Sequence, residues 1–258
     1  MDTIWVIIAL VFIIALVFSL FGQGGGSCYT PVLFLFGSAV LVSVSTSLVL
    51  NLITSVSAGY IFYRHKMIDV KRSLLFVPGI IIGSLTGSVV DNLHIVSTTF
   101  LLWLFVAFLV VAGARMVYAF REKGQTEGEC PTTFSKRMYA LIIAVSFLVG
   151  TLSSMLGVGG GIIIVPFMTY ICKCPTRWAA GASHLIISFS ALFGVIGHSA
   201  FGNIDLPLIL GTGVAVLIGG NLGGRIGVKM KSSMMKVGVG IIMWVLAAQV
   251  ILKLLGHL

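Results

Sequence analysis

The chain has 258 residues, of which 58% are apolar and 9% are charged, whereas roughly a quarter of the residues in a soluble domain are charged. This composition excludes an ordinary soluble globular protein and predicts an all-α polytopic membrane protein. The net charge of +9 does not indicate nucleic-acid binding, because the Lys and Arg residues lie in short loops between apolar segments.

Ten apolar segments follow one another along the chain with short polar breaks between them. They lie at about 4–21, 28–42, 44–63, 74–91, 97–120, 139–156, 161–172, 179–201, 206–224 and 237–256. The second and the seventh are shorter than the roughly 20 residues that a helix needs to cross a bilayer. We therefore interpret these two segments as broken or re-entrant helices.

The two sets of five segments form an internal duplication. Residues 22–31 align with residues 157–166 at a shift of 135, and beyond a one-residue gap Ser47 aligns with Ser183 at a shift of 136. Because each repeat has an odd number of segments, the two repeats have inverted topology, which is common in secondary transporters. The predicted organisation is an N-terminal membrane repeat at 1–120, a cytoplasmic linker at 121–138 and a C-terminal membrane repeat at 139–258.

The basic residues predict how the segments are oriented. Lys and Arg cluster in four loops, and all four loops can face the cytoplasm if every segment passes between the two faces. These loops are 64–72, 121–137, 173–177 and 225–236. The loops at 91–94 and 202–205 have neither Lys nor Arg, so we expect them to face outward, and both termini with them.

The cysteines predict neither a disulfide framework nor a metal site. Cys28, Cys130, Cys172 and Cys174 have unrelated spacings, and the last two lie in a loop that we expect to face a reducing compartment. No further metal ligands lie near Cys172 and Cys174 in the sequence. No cofactor and no metal are therefore predicted.

Two glycine clusters, Gly24 to Gly26 and Gly159 to Gly161, each join the end of one apolar helix to the start of the next. Glycine permits positive φ and leaves its amide open to a ligand, and a helix start offers about half a positive charge. Without a preceding strand or a following acidic residue, neither cluster is a dinucleotide fingerprint. The clusters predict a site for a small oxyanion, with close helix packing as the alternative.

Other glycines recur every four residues and indicate close helix packing. One set is Gly79, Gly83 and Gly87, and the other is Gly219, Gly223 and Gly227.

Uncharged polar side chains near the glycine clusters complete the candidate site. Every acidic residue lies at a loop or a helix end, which disfavours cation transport. For the polar side chains within the spans, ordinary hydrogen bonding between helices is the alternative to binding. The predicted binding residues are Gln23, Gly24, Gly25, Gly26, Ser27, Thr46, Ser47, Asn51, Gly159, Gly160, Gly161, Ser183 and His184.

The sequence resembles the TauE/SafE sulfite exporter family, also called the toluene sulfonate uptake permease family. The motif is Gly157-Val-Gly-Gly-Gly-Ile-Ile-Ile-Val-Pro166 followed by Ala180-Gly-Ala-Ser183, with a weaker copy at 22–31 and 44–47. The likeness covers about residues 5–255. It implies a carrier of small sulfur-containing anions, namely sulfite, sulfonates such as sulfoacetate, or sulfate, in the plasma membrane of a bacterium or archaeon.

We therefore expect a secondary transporter that works by alternating access and is not an enzyme. Its expected partners are the lipid bilayer, a small sulfur oxyanion or organosulfonate, and protons as the coupling ion, which His184 or a protonated substrate would carry. A passive anion channel and a membrane-embedded enzyme that uses the Cys28 thiol remain as alternatives. No oligomeric state is predicted.

Overall fold

The computed structural model describes residues 2–36, 39–93, 103, 106–107, 109–111, 113–114, 117–118, 130, 134–200 and 205–256. All regular secondary structure in these residues is helical, which confirms the all-α prediction for this part of the chain. The helices are α1 (Asp2–Leu20), α2 (Gly26–Leu35), α3 (Val40–Arg64), α4 (Val70–Ser73), α5 (Val77–Asn92), α6 (Lys136–Leu156), α7 (Gly161–Pro166), a π-helix (Phe167–Ile171), α8 (Thr176–Ser199), α9 (Leu206–Gly227) and α10 (Ser232–Leu254). Most of the predicted segment 97–120 lies outside the described residues.

Five helices in the described part of the chain are long and apolar enough to span a membrane. The spans are Leu41–Arg64, Lys136–Leu156, Thr176–Ser199, Leu206–Gly227 and Ser232–Leu252. Along α9, Leu210, Val214 and Leu217 are exposed, as expected for a surface that contacts lipid chains. The chain is a multi-pass membrane protein.

Local capping explains where several helices begin. The side chain of Asp205 accepts a hydrogen bond from the Leu208 amide at the start of α9, and Asp69 does the same for Arg72 at the start of α4. Ser135 caps α6 by accepting from the Met138 amide. Each cap pairs a backbone donor that the first turn of a helix leaves open.

The packing of α5 on α6 and of α1 on α9 depends on glycine. A Cβ added at Gly79 would lie 2.6 Å from the Ile143 carbonyl oxygen, and Gly83 is pressed against the Phe147 carbonyl. On the other side of the protein, a Cβ at Gly219 would lie 2.7 Å from the Phe12 carbonyl oxygen. These contacts confirm the predicted packing role of the two glycine sets, since any side chain would separate the helices.

Helices α3 and α8 pack against each other at the centre. The short helices α2 and α7 pack on α3 and α8 respectively, and α9 and α5 flank the pair from opposite sides. Leu48 and Leu50 of α3 and Ile186 and Ile187 of α8 are fully buried. This arrangement places the loops before α2 and α7 next to the central helix pair.

Cys130 and Cys174 form a disulfide bond, which corrects the prediction of no disulfide. The bond joins the segment before α6 to the loop between the π-helix and α8, with 4.4 Å between the two Cα atoms. Sequence spacing did not indicate this pair because its proximity depends on how two distant loops pack. Cys28 and Cys172 are free, and burial raises the pKa of the Cys172 thiol to about 11, so this thiol stays protonated at neutral pH.

Candidate functional site

The first predicted glycine cluster lies where α1 is joined to α2, and the second lies where α6 is joined to α7. The two clusters contact each other. Positive φ angles, which L side chains rarely adopt, occur at corresponding glycines of both clusters. These glycines are Gly22, Gly24, Gly25, Gly157, Gly159 and Gly160. We call residues 22–26 loop 1 and residues 157–161 loop 2.

Loop 1 and loop 2 contact each other through equivalent residues. A Cβ added at Gly161 would lie 2.7 Å from the Gly22 carbonyl oxygen, and one at Gly26 would collide with the Gly157 carbonyl. Gly161 is the equivalent of Gly26, and Gly157 is the equivalent of Gly22, at a shift of 135 residues. The same contact is therefore made twice, with the roles of the two halves exchanged.

Ser47 and Ser183 hold the two loops from the central helices. The Ser47 hydroxyl lies 3.0 Å from the carbonyl oxygens of both Gly26 and Gly157, to either of which it can donate. The Ser183 hydroxyl donates to the Gly22 carbonyl and also lies 2.9 Å from the Ala180 carbonyl oxygen. Each serine thus reaches the loop in the opposite half of the chain, and a further contact of either hydroxyl with a ligand stays a prediction.

The start of each short helix leaves amide groups open. The amides of Cys28 and Tyr29 donate to the Gly25 carbonyl, so α2 itself provides no acceptor for the amides of Gly26 and Ser27. In α7 the amides of Ile163 and Ile164 donate to the Gly160 carbonyl in the same way. Both loops therefore present helix N-terminal donors, as the sequence predicted.

Several buried polar side chains of loop 1, the start of α2 and α3 have no hydrogen-bond partner among the described residues. Gln23, Thr46, Asn51 and Ser55 are fully buried, and Ser27 is half-buried. None of their side-chain oxygen and nitrogen atoms is paired. We call these five residues the polar cluster. A buried polar group without a partner costs about 1–3 kcal/mol. Its presence in a folded protein therefore calls for an explanation, such as a bound ligand or water.

Asn51 is the member of the polar cluster that contacts both loops. A Cβ added at Gly26 would lie 2.8 Å from the Asn51 amide nitrogen, and one at Gly24 or Gly159 would collide with the Asn51 side chain. The Ser55 hydroxyl lies next to it, 2.9 Å from the Cβ position of Gly24. The absence of side chains at these glycines is what lets the Asn51 amide lie between the loops.

The polar cluster belongs to the first half of the chain alone. The equivalent residues of the second half are apolar and buried. In order, they are Val158, Ile162, Ala182, Ile187 and Ala191. At these equivalent positions the side chains of the first half of the chain are therefore polar and those of the second half are apolar.

His184 lies on α8, one residue beyond Ser183. Its Nε2 donates to the Ser19 carbonyl oxygen at 3.0 Å, since a carbonyl can only accept. The other ring nitrogen, Nδ1, is buried without a partner, and the ring packs 5.4 Å from that of Phe62. In the neutral imidazole this nitrogen is a hydrogen-bond acceptor that faces no protein donor.

Ser55 is a site residue that the sequence analysis did not select. Its signal was the four-residue spacing of Ser47, Asn51 and Ser55 along α3, which places all three on one helix face. Among the described residues, no three His, Cys, Asp or Glu side chains lie close enough together to hold a metal ion.

Comparisons with a family model and with individual relatives agree with each other. The family model "Sulfite exporter TauE/SafE" matches residues 7–250. The "Probable membrane transporter protein YunE" of Bacillus subtilis is 27% identical over 95% of this chain and 96% of its own length. A "Probable membrane transporter protein" of Xylella fastidiosa is 27% identical over 83% of this chain and 81% of its own.

A relative from an archaeon has a similar degree of likeness. The "Probable membrane transporter protein MJ0441" of Methanocaldococcus jannaschii is 24% identical over 91% of this chain and 90% of its own length. No solved structure matches the chain. These relatives are named as transporters, in agreement with the prediction that the protein is not an enzyme. The chain belongs to the TauE/SafE sulfite exporter family of membrane transporters.

Proposed function

We propose that the protein is a secondary transporter of small sulfur-containing anions that binds its substrate where loop 1 and loop 2 meet. The polar cluster carries this proposal, because its buried donors and acceptors have no partner in the protein. A bound anion would accept hydrogen bonds from the Gln23 and Asn51 amides and from the hydroxyls of Ser27, Thr46 and Ser55. The helix amides of Gly26 and Ser27 would add the partial positive charge of a helix start.

The chemistry of the site favours a small anion with a tetrahedral or pyramidal oxyanion group. The binding residues are neutral, so no carboxylate repels an anion and no cation holds it irreversibly. The apolar residues of the second half, such as Ile187 and Val158, would face the less hydrated side of the substrate. Sulfite and sulfonates such as sulfoacetate fit this division, with sulfate as a third candidate.

We further propose that the two halves form inverted repeats, with α2 and α7 as re-entrant helices. The exchanged contacts support this: Gly26 meets Gly157 as Gly161 meets Gly22, and α5 packs on α6 as α9 packs on α1. The repeats would be 1–120 and 139–258, joined by a cytoplasmic linker at 121–138. Rocking of one repeat against the other would expose the site to each face in turn.

His184 is our candidate for proton coupling. Its Nδ1 is an unpaired acceptor in the neutral ring, and because burial disfavours the charged ring, we propose that it takes up a proton only while an anion is bound. We expect anion uptake to be driven by a pH gradient in the plasma membrane of a bacterium or archaeon. His184→Gln would then leave substrate exchange intact and abolish gradient-driven accumulation.

The proposal is tested by flux into liposomes that contain the purified protein. Sulfite, sulfate, thiosulfate, sulfoacetate, taurine and chloride are supplied in turn, with and without an imposed pH gradient. A carrier gives flux of one sulfur anion that saturates and that the gradient drives uphill. Flux that neither saturates nor runs uphill would instead identify a passive channel.

A matched pair of variants tests the site itself. Thr46→Val removes a hydroxyl of the polar cluster, and we expect it to reduce the flux at least tenfold, about 1.4 kcal/mol. Thr212→Val makes the same chemical change at a buried hydroxyl that donates to the Leu208 carbonyl of its own helix, and we expect normal flux. Equal flux in the two variants would contradict the proposed site.

A further inference from the structure

A second polar site lies at the ends of two membrane-spanning helices. The last turns of α3 and α9 enclose a cavity of about 500 Å³ whose walls include Arg64 and Tyr60 from α3 and Asn221 and Arg225 from α9. Lys229, just beyond α9, completes it. This cavity, which we call the basic pocket, shares no residue with the polar cluster.

The basic pocket carries positive charge that its own walls do not neutralise. Two guanidinium groups and one ammonium group line it, and neither Asp nor Glu is among its lining residues. The Arg64 guanidinium lies 5.9 Å from the centre of the Tyr60 ring, which orients one of the charges. Cations at helix C-termini balance the helix dipole, but this does not require three of them to face one cavity together with the Asn221 amide.

The position of the basic pocket corresponds to the level of lipid headgroups. Arg64 is the last residue of one membrane span, and the other span ends at Gly227, between Arg225 and Lys229. Tyr60 is exposed one helical turn further into the membrane, where tyrosine commonly lies at the boundary between headgroups and acyl chains. A ligand in the pocket would therefore lie at the membrane surface.

Apolar surface continues from the basic pocket towards the centre of the membrane. Val56 is exposed four residues before Tyr60 on α3, and Leu217 is exposed four residues before Asn221 on α9. Residues four apart share a helix face, and the two helices are joined at this level by the hydrogen bond from Ser57 to the Leu217 carbonyl. Val56 also lines a second pocket, together with Tyr60 and with Leu185 and Leu192 of α8. Exposed apolar side chains of both helices therefore lie below the cations of the basic pocket.

We propose that the basic pocket binds the phosphate headgroup of an anionic phospholipid, with an acyl chain along Val56 and Leu217. Cationic pockets between spanning helices suit such headgroups, because each Lys or Arg near the surface adds favourable energy. The apolar continuation distinguishes a lipid from a free anion, which would gain nothing from it. A lipid bound here would bridge α3 and α9, which belong to different halves of the chain.

The test is native mass spectrometry of the purified protein with added lipid. We expect phosphatidylglycerol to stay bound to the wild type and phosphatidylcholine, which has no net charge, to dissociate. The double variant Arg225→Gln/Lys229→Gln should retain phosphatidylglycerol about tenfold less. The control Lys71→Gln/Lys136→Gln removes two exposed charges outside the pocket and should bind the lipid as the wild type does.

Two outcomes would overturn the proposal. Equal retention of phosphatidylglycerol by both double variants would show that the lipid binds elsewhere. Displacement of the lipid by equimolar glycerol phosphate or sulfite would show that the pocket binds a soluble anion. The apolar side chains below the pocket would then contribute nothing to the affinity. Thermal unfolding of each variant without lipid checks that the four exposed substitutions leave the fold intact, and none of these readouts depends on transport.

Discussion

At the scale of single residues, two kinds of buried polar group meet at the loops. Ser47 and Ser183 are equivalent residues, and each hydroxyl reaches a carbonyl of the opposite loop. Asn51 and Thr46 have apolar equivalents and no partner. The residues that keep a hydroxyl in both halves of the chain hold the loops together, whereas the residues that differ between the halves are those that we propose bind the substrate.

Asn51→Leu should stabilise the protein and stop transport. The change removes a buried amide with no partner, and the equivalent position in the second repeat already accommodates Ile187. We expect the free energy of unfolding to stay the same or to rise by about 1 kcal/mol. Thermal unfolding in detergent and flux in liposomes measure the two effects, and a strongly destabilised Asn51→Leu protein would show that the amide has a structural partner.

Ser47→Ala and Ser183→Ala should have the opposite effect on stability. Each removes a hydroxyl that reaches a buried carbonyl of the other loop, so we expect a loss of about 1–2 kcal/mol in the free energy of unfolding. Ser45→Ala is the control, because the Ser45 hydroxyl donates within its own helix to Leu41. Full stability combined with lost transport would instead mean that these serines bind the anion directly.

At the scale of helices, the sequence predicted the close packing of glycine-lined helix faces better than it predicted the contacts between distant loops. The four-residue spacing of Gly219 and Gly223 was enough to assign one face of α9 to close contact, because residues four apart lie on the same helix face. The contact of loop 1 with loop 2 could not be derived from spacing, since it depends on how α3 and α8 cross. The Cys130–Cys174 bond was missed for the same reason.

Two glycines of α9 provide a test of this packing. Gly223→Ala places a methyl group against the Leu16 carbonyl and the Ser19 hydroxyl of α1, and we expect a loss of about 1–3 kcal/mol in stability. Gly213→Ala places it in ordinary van der Waals contact, 3.7 Å from Ile53 Cδ1, and should stabilise the helix by up to about 1 kcal/mol. Chemical unfolding measures the free energy of unfolding of both variants. Equal values would contradict close contact between α1 and α9.

At the scale of the whole molecule, the duplication made the two glycine turns predictable. Because loop 2 repeats loop 1, the sequence indicated both turns before any contact was known, while Gln23 and Asn51 as binding residues stay a prediction. The division of the site into a polar and an apolar side followed only when burial and pairing were compared at equivalent residues. Such a comparison needs the structure, because the sequence does not show whether a polar residue in a membrane span has a hydrogen-bond partner.

The disulfide between Cys130 and Cys174 tests the predicted orientation of the molecule. The loops that carry it are rich in Lys and Arg and are predicted to face the cytoplasm, where disulfides are rare. The bond in the structure is the oxidised state of this pair. If the loops face the cytoplasm, we expect both thiols to be reduced in growing cells and to form the bond when the purified protein is oxidised. Alkylation of cells by membrane-permeant N-ethylmaleimide, followed by peptide mass spectrometry, should find both cysteines modified, and an impermeant maleimide should modify neither.

Cys172 and a cysteine introduced at Leu93 serve as internal standards for that measurement. Cys172 is a buried thiol whose pKa is raised to about 11, so at pH 7 it carries very little thiolate and should react slowly. An added cysteine at Leu93→Cys, in a loop predicted to face outward and exposed at its surface, should react with the impermeant reagent. If the bond persists in growing cells and Leu93→Cys is protected, the charged loops face outward and the orientation of both repeats is reversed.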